Sequence, residues 1–347
     1  MDIRESLRRE GMRLGFSRVG FAAAASHAAA QRLRAWLDLD YAGGMGWLHR
    51  RFEERGDPHR LLPWAKSLVM VALPYASKAP QPSSSLSARI SRYARGGDYH
   101  EIMRQRLRRL GAHLATLRPG AHSHPIVDTG AVLEKPFGAA SGLGWQGKHT
   151  NLIDPDSGSW FFLGELATDV ALEPDRPEVT DRCGTCTRCL EACPTQAFPA
   201  PYVLDARRCV SYLTIEHRGP IPEDLRSGLG SWVFGCDVCQ EVCPWNEAAP
   251  ASEAAGAADP VPDLAELMRL SREEFQRRFA GTPLRRTGWI RFLRNVAVAL
   301  GNSGSEQAIA PLREALAIPD ALLAEHVRWA LRRLGAEPSP GVVEAAS

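Results

Sequence analysis

Eight cysteines lie between positions 183 and 243 of the 347-residue chain, and there are no others. The first run is Cys183-x2-Cys186-x2-Cys189-x3-Cys193-Pro194. Three thiolates at this spacing on one tight loop wrap three corners of a cubane. The fourth, one turn further on, is carried toward a neighbouring cluster, as in two-cluster ferredoxins. The second run, Cys236-x2-Cys239-x3-Cys243-Pro244, lacks its first cysteine, and Cys209 stands alone between the runs. The arithmetic closes on two sets: Cys183, Cys186, Cys189 and Cys243, then Cys193, Cys209, Cys236 and Cys239. Eight thiolates without remainder predict two [4Fe–4S] clusters. The alternative is a pair of four-cysteine zinc sites, which rarely use x2, x2 spacing followed by x3-Cys-Pro. A disulfide framework is not expected in a chain with no apolar segment behind its charged N-terminus.

Two adjacent cubanes make an electron wire, and 182 residues precede the first cysteine while 104 follow the last. The destination of the electrons is expected in the long N-terminal part. There, Val127-Asp128-Thr129-Gly130 ends a strand-like stretch, with Glu134 just beyond. A desolvated carboxylic acid at a strand end has a raised pKa and can serve as a general acid. The alternative for Asp128 is a helix N-cap.

Gly142-x-Gly144-x-x-Gly147 matches a dinucleotide fingerprint by letter, but the fingerprint must follow a strand and open a helix. Here the preceding stretch reads as helix and the following one as strand. The near P-loop match fails because His149 stands where Ser or Thr should hold magnesium. The glycines indicate tight turns, or close approach of the backbone to something large and flat.

These residues need elements to position them. The composition, 44% hydrophobic and 24% charged, is that of a globular protein, and the length suggests about two or three domains. No stretch approaches the roughly 18 apolar residues of a membrane helix, so a cytoplasmic protein with no membrane partner is expected. Helical periodicity covers 2–14, 28–39 and 98–117, the last with Asp98 as N-cap. Strand character covers 17–22, 66–74, 122–127 and 160–172. Residues 80–87 and 248–262 read as linkers, and 263–279 as one helix. Residues 294–301 resemble 325–332 at an offset of 31, the sign of a HEAT-like helical pair. The net charge is +2, with 38 Arg against 4 Lys. Seven Arg fall in 89–109 and eight in 269–294, stretches that either track a polyanion or form solvated helix faces.

Several long stretches carry a resemblance: Asp128-Thr-Gly followed by GLGWQGKHTNLI at 142–153, CVSYLTIEHRG at 209–219, WVFGCDVCQEVCPWN at 232–246 and RYARGGDYH at 92–100. The chain resembles the epoxyqueuosine reductases, which complete queuosine in tRNA, with departures at Gln146, Phe137 and Gly138. The resemblance spans nearly the whole chain. It implies an α+β fold: an α/β-like corrinoid-binding catalytic domain at 1–175, a ferredoxin-like two-cluster domain at 176–250 and a HEAT-like helical module at 260–347. It also implies a base-off cobalamin, contacted by Arg55, Asp128, Ser211 and the backbones of Leu152 and Leu163. Asp128 becomes the proton donor, and Glu216 and Arg218 become tRNA contacts. An external low-potential donor would feed the clusters, which pass electrons to cobalamin, and a monomer is expected. Two rivals share parts of this reading: a small-molecule corrinoid reductase such as a dehalogenase, and an electron carrier with no chemistry of its own.

Overall fold

The computed structural model describes residues 2–77, 84–176, 180–247, 249, 250, 252 and 261–336. The linkers at 80–87 and 248–262 and the far end of 260–347 therefore lie partly outside the described residues. Helix α1 (Ile3–Arg13) begins where the Asp2 side chain accepts the Arg4 N–H. Four strands follow in the sheet: β1 (Arg18–Ala23), β2 (Ser67–Pro74), β3 (Ser123–Ile126) and β4 (Phe161–Thr168), in the order β1-β2-β4-β3. Every pair is antiparallel, so the sheet is α+β and the expected α/β-like character is absent. The continuous apolar run of β2 reflects burial of both its faces rather than parallel pairing. Val69, Val71 and Leu73 meet α1 and the long helix α2 (Tyr99–Leu117), while Leu68, Met70 and Ala72 pack beneath helix α3 (Glu134–Ala140).

The glycine segment is a turn, as its context requires. Gly142 and Gly144 have φ of 77° and 152°, and Trp145–Gln146 pairs antiparallel with Leu152–Ile153. A Cβ on Gly144 would overlap the Ile153 carbonyl, so the hairpin admits only glycine there.

Residues 263–279 form two helices, Leu264–Met268 and Arg272–Arg278, instead of one. Ser271 and Glu274 form a reciprocal capping box that starts the second helix afresh. Helices α4 (Trp289–Asn302), α5 (Ile309–Ala315) and α6 (Ala321–Arg333) complete the chain. The repeat residues Val296, Ala299, Leu300, Val327, Ala330 and Leu331 are all buried where α4 meets α6.

One core joins Leu213, Trp232 and Phe234 to Phe292, Val296 and Leu331, and takes in Ile90 as well. The divisions at 176–250 and 260–347 therefore do not correspond to separate cores. Arg294 and Asn295 stitch the join. Both are 0% exposed. Arg294 donates to the carbonyls of Leu213, His217 and Gly219 at 2.7–2.9 Å. Asn295 donates to the carbonyls of Thr214 and Val233 and accepts from Arg294. Burial pushes the Arg294 guanidinium down to about 9, so it carries its charge at neutral pH without a carboxylate partner. Arg294→Leu should strand these buried carbonyls and destabilise the protein by roughly 3–5 kcal/mol. Arg285→Leu, at an exposed position, should change stability by no more than about 0.5 kcal/mol. Denaturant midpoints of the two variants check this; equal midpoints would refute it.

Candidate active site

Asp128 follows β3 in a left-handed conformation, φ 45°, that a non-glycine residue adopts only under constraint. The constraint is visible. Its N–H donates to Glu134 Oε1 at 2.6 Å, and Glu134 sits in the first turn of α3. Asp128 caps no helix, since Leu133 occupies the N-cap position of α3. Its side chain instead meets α2. His100 Nε2 lies 3.0 Å from Asp128 Oδ2, and His100 Nδ1 lies 2.6 Å from Asp98 Oδ1. Asp98 also accepts the His100 N–H, so one residue caps the helix and orients the imidazole. The Tyr99 side chain hydrogen-bonds Asp128 as well.

The electrostatics reverse one expectation. Burial opposes the Asp128 carboxylate, but the His100 hydrogen bond and charge, then the Arg286 charge, outweigh it and hold Asp128 below the usual carboxylate value. Burial likewise opposes the His100 imidazolium, but its bonds to Asp128 and Asp98 hold it above its ordinary value. The proton therefore rests on His100 while Asp128 is ionised. Burial, then the Asp128 charge, pushes Glu134 up, and burial with the Glu134 charge raises Glu165 on β4. Glu165 is 0% exposed, and neither carboxyl oxygen has a partner among the described residues.

Asp128 opens onto a cavity of about 750 Å³ that Cys209, Cys236 and Cys239 also line. Cys193 neighbours Cys209 and Cys236, which completes that group of four. Cys183, Cys186, Cys189 and Cys243 line a second, smaller cavity of about 50 Å³. Cys189 and Cys239 face each other electrostatically across the gap between the groups. The thiols ring cavities rather than meet at a point. Among the described residues no three metal-ligating side chains converge closely enough for a single ion. Burial raises the Cys189 thiol to about 11, and Cys209, Cys236, Cys239 and Cys243 are raised too, so ligation at these positions releases protons.

Of the other residues singled out in the sequence, Arg55, Ser211 and Glu216 line the large cavity. Leu152 and Leu163 do not. They belong to the core beneath α3, where both pack against Gly138, because β4 turns that face toward α3. Arg218 is exposed and lies outside the lining. The two arginine-rich stretches also divide. Arg89 pairs with Glu241, Arg92 with Asp237 and Glu241, and Arg95 donates to the Ile90 carbonyl, so these three tie the chain together. Arg269 pairs with Glu314, Arg291 donates to backbone carbonyls and Arg294 is buried. Arg272, Arg277, Arg278, Arg285 and Arg286 are exposed.

Sequence reasoning missed His100, Tyr99, Lys135 and Arg286 as site residues. Tyr99 and His100 directly follow the N-cap Asp98, and an aromatic and an imidazole in the first turn of a helix were the available signal. Arg286 carried none, because only the tertiary fold brings the turn Pro283–Thr287 to the cavity.

Residues 182–246 match the 4Fe-4S double cluster binding domain, 55–129 match the family described as epoxyqueuosine reductase QueG, DUF1730, and 292–317 match a PBS lyase HEAT-like repeat. The epoxyqueuosine reductase of Escherichia coli (strain K12) is 40% identical over 335 residues, covering 94% of this chain and 88% of that protein. That of Xanthomonas campestris pv. campestris is 43% identical over 333 residues, covering 92% and 93%. A crystal structure of epoxyqueuosine reductase with a tRNA-Tyr epoxyqueuosine-modified stem loop superposes with a TM-score of 0.88 at 30% identity, covering 96% of this chain and 90% of that one. At these identities and coverages, the chain belongs to the epoxyqueuosine reductase family.

Proposed function

We propose that this chain reduces epoxyqueuosine at the wobble position of tRNA to queuosine, within the cavity between Asp128 and the second cysteine group. The observation that carries the reading is that single cavity, lined both by Asp128, with His100 hydrogen-bonded behind it, and by the cluster-type thiols Cys209, Cys236 and Cys239. Reduction of the epoxide to the alkene consumes two electrons and two protons and releases the oxygen as water.

The proposed ligands of one [4Fe–4S] cluster are Cys183, Cys186, Cys189 and Cys243, near the surface, where an external low-potential donor delivers electrons. Those of the other are Cys193, Cys209, Cys236 and Cys239, beside the cavity. A base-off cobalamin fits the cavity. Arg55 Nε and His149 Nε2 are buried in its wall with no partner among the described residues, and Ser211 lies on the same wall. Buried polar atoms of this kind call for a ligand with polar groups at its rim. When bound, clusters and corrin supply the two low-potential electrons.

The chain's own residues handle the proton. Asp128 is the group that reaches the reacting oxygen and protonates it as the carbon–oxygen bond breaks. Asp128 is ionised at rest, so its proton comes from His100 Nε2. Asp98, half exposed, holds Nδ1 and connects the pair to solvent. Glu134 keeps the strained Asp128 turn in place throughout. Outside the cavity, the exposed Arg272, Arg277, Arg278 and Arg285 fit phosphate contacts that set register without reading sequence. Glu216 and Arg218 fit contacts to the anticodon loop at the mouth.

Two outcomes test the reading. Anaerobically reconstituted protein should bind about eight irons per chain and one corrin, and Cys209→Ser should fall to about four irons. Eight irons retained in that variant would refute the assignment. His100→Gln should slow single-turnover reduction of an epoxyqueuosine stem loop by at least about 10²-fold. In the unaltered enzyme the His100 proton is present below its raised pKa and lost above it. The rate should therefore fall as pH rises through a value above the ordinary 6.5, and this limb should be missing in His100→Gln. An unchanged profile would show that His100 does not supply the proton.

A further inference from the structure

Among the described residues of the C-terminal helical segment, Arg286 alone lines the large cavity. It stands on the turn Pro283–Thr287, which ends at Gly288 with φ 77°. Its side chain is 51% exposed and lies between two carboxylates, 3.8 Å from Asp128 Oδ2 and 3.7 Å from Glu216 Oε1. Both separations exceed hydrogen-bond length, so these contacts are attraction between charges and leave the guanidinium donors available. A planar guanidinium with unused donors at the mouth of a cavity is suited to a phosphate, which it binds in a bidentate and charge-assisted way. It cannot hold a phosphate and stay on Asp128 equally well.

We propose that Arg286 is a positioning residue that couples substrate binding to protonation: it steadies the Asp128 carboxylate in the empty enzyme, then passes to an RNA phosphate when the anticodon loop enters, leaving the carboxyl free to take up the proton it delivers. The inference rests on the tRNA reading above. The groups around Asp128 favour this response. His100 and Tyr99 face it from α2, with Asp98 behind His100. Glu134 and Lys135 face it from α3, Glu165 from β4, and Arg55 and Tyr93 from the cavity wall. Of this set Lys135 and Arg286 are exposed at the cavity, and Lys135 Nζ already donates to Asn151 Oδ1, so Arg286 is the cation with donors left for an incoming polyanion. Once Arg286 leaves, burial acts on Asp128 with one opposing charge fewer, and the carboxyl gains proton affinity. Asp128 then draws its proton from His100 as the substrate binds, and His100 reloads from solvent through Asp98, so the empty site keeps Asp128 itself discharged.

The test is binding, not turnover. The holoenzyme is titrated, without reductant, with an anticodon stem-loop RNA across neutral pH, and by calorimetry in two buffers of different ionisation enthalpy. The unaltered enzyme should take up a fraction of a proton, so its Kd should tighten as the pH falls, by less than about tenfold per unit. Arg286→Gln should lose this pH dependence, and its salt slope should shrink by about one. Arg286→Lys should retain both. Asp128→Asn should lose the pH dependence and keep the salt slope. Binding with no proton uptake, or uptake that survives in Arg286→Gln or Asp128→Asn, overturns the coupling and leaves the tRNA reading intact. Absence of saturable binding overturns both.

Discussion

The buried guanidinium of Arg294, with the amide of Asn295 beside it, is the constraint on which the active site depends. Three carbonyls from residues 213–219 converge on one charge that has no acidic partner among the described residues, and two more bind the neighbouring amide. The carbonyls from 213–219 lie in and just beyond the last turn of the short helix Val210–Ile215, where no intrahelical donor reaches them. Helix α4 satisfies them and so decides where Ser211, Glu216 and Cys209 stand. The helical segment is therefore part of the cavity's construction and not an appended module. A single core spanning both parts means that disturbing one disturbs the other.

On the proposed reading, the site separates proton from electron handling within one cavity. On the proton side, a carboxylate in a strained turn is held by a backbone bond to Glu134 and a side-chain bond to His100. Strain of this kind persists only where neighbours over-determine the conformation, and it places the carboxyl at the cavity instead of along the strand. On the electron side, two groups of thiols lie close enough to interact, one around a small cavity of its own and one on the wall of the large cavity. The electrostatic arrangement suits a reaction that needs both. The carboxyl nearest the cavity is ionised, the imidazole behind it carries the proton, and the deeper carboxyls are pushed toward neutrality, Glu134 by burial and the Asp128 charge and Glu165 by burial and the Glu134 charge.

Much of this was legible in the sequence, and some of it was not. Cysteine spacing is a local property: three ligands within seven residues share one loop, so the run at 183–189 announces its chemistry without reference to the fold. Helix caps are equally local, and Asp2, Asp98 and the Ser271–Glu274 box all act within one turn. The helix at 263–279 was misread because periodicity continued across a capping box that restarts the chain. The sheet was misread as α/β-like because an apolar run records burial on two faces and says nothing of strand direction.

The sequence by itself determined the two thiol groups, the element types and the turn glycines, since each depends on residues within a few positions of one another. Only the tertiary structure decided that Asp128 is ionised rather than protonated. Its charge state is the sum of burial against His100 and Arg286, which arrive from 28 and 158 positions away. Only the tertiary structure separated the arginines that hold the chain together from those left for a partner, because composition counts charges and cannot see which carboxylate or carbonyl each one meets. Electrostatic interactions act through space and not along the chain, so the site's chemistry became readable only once the fold had set its distances.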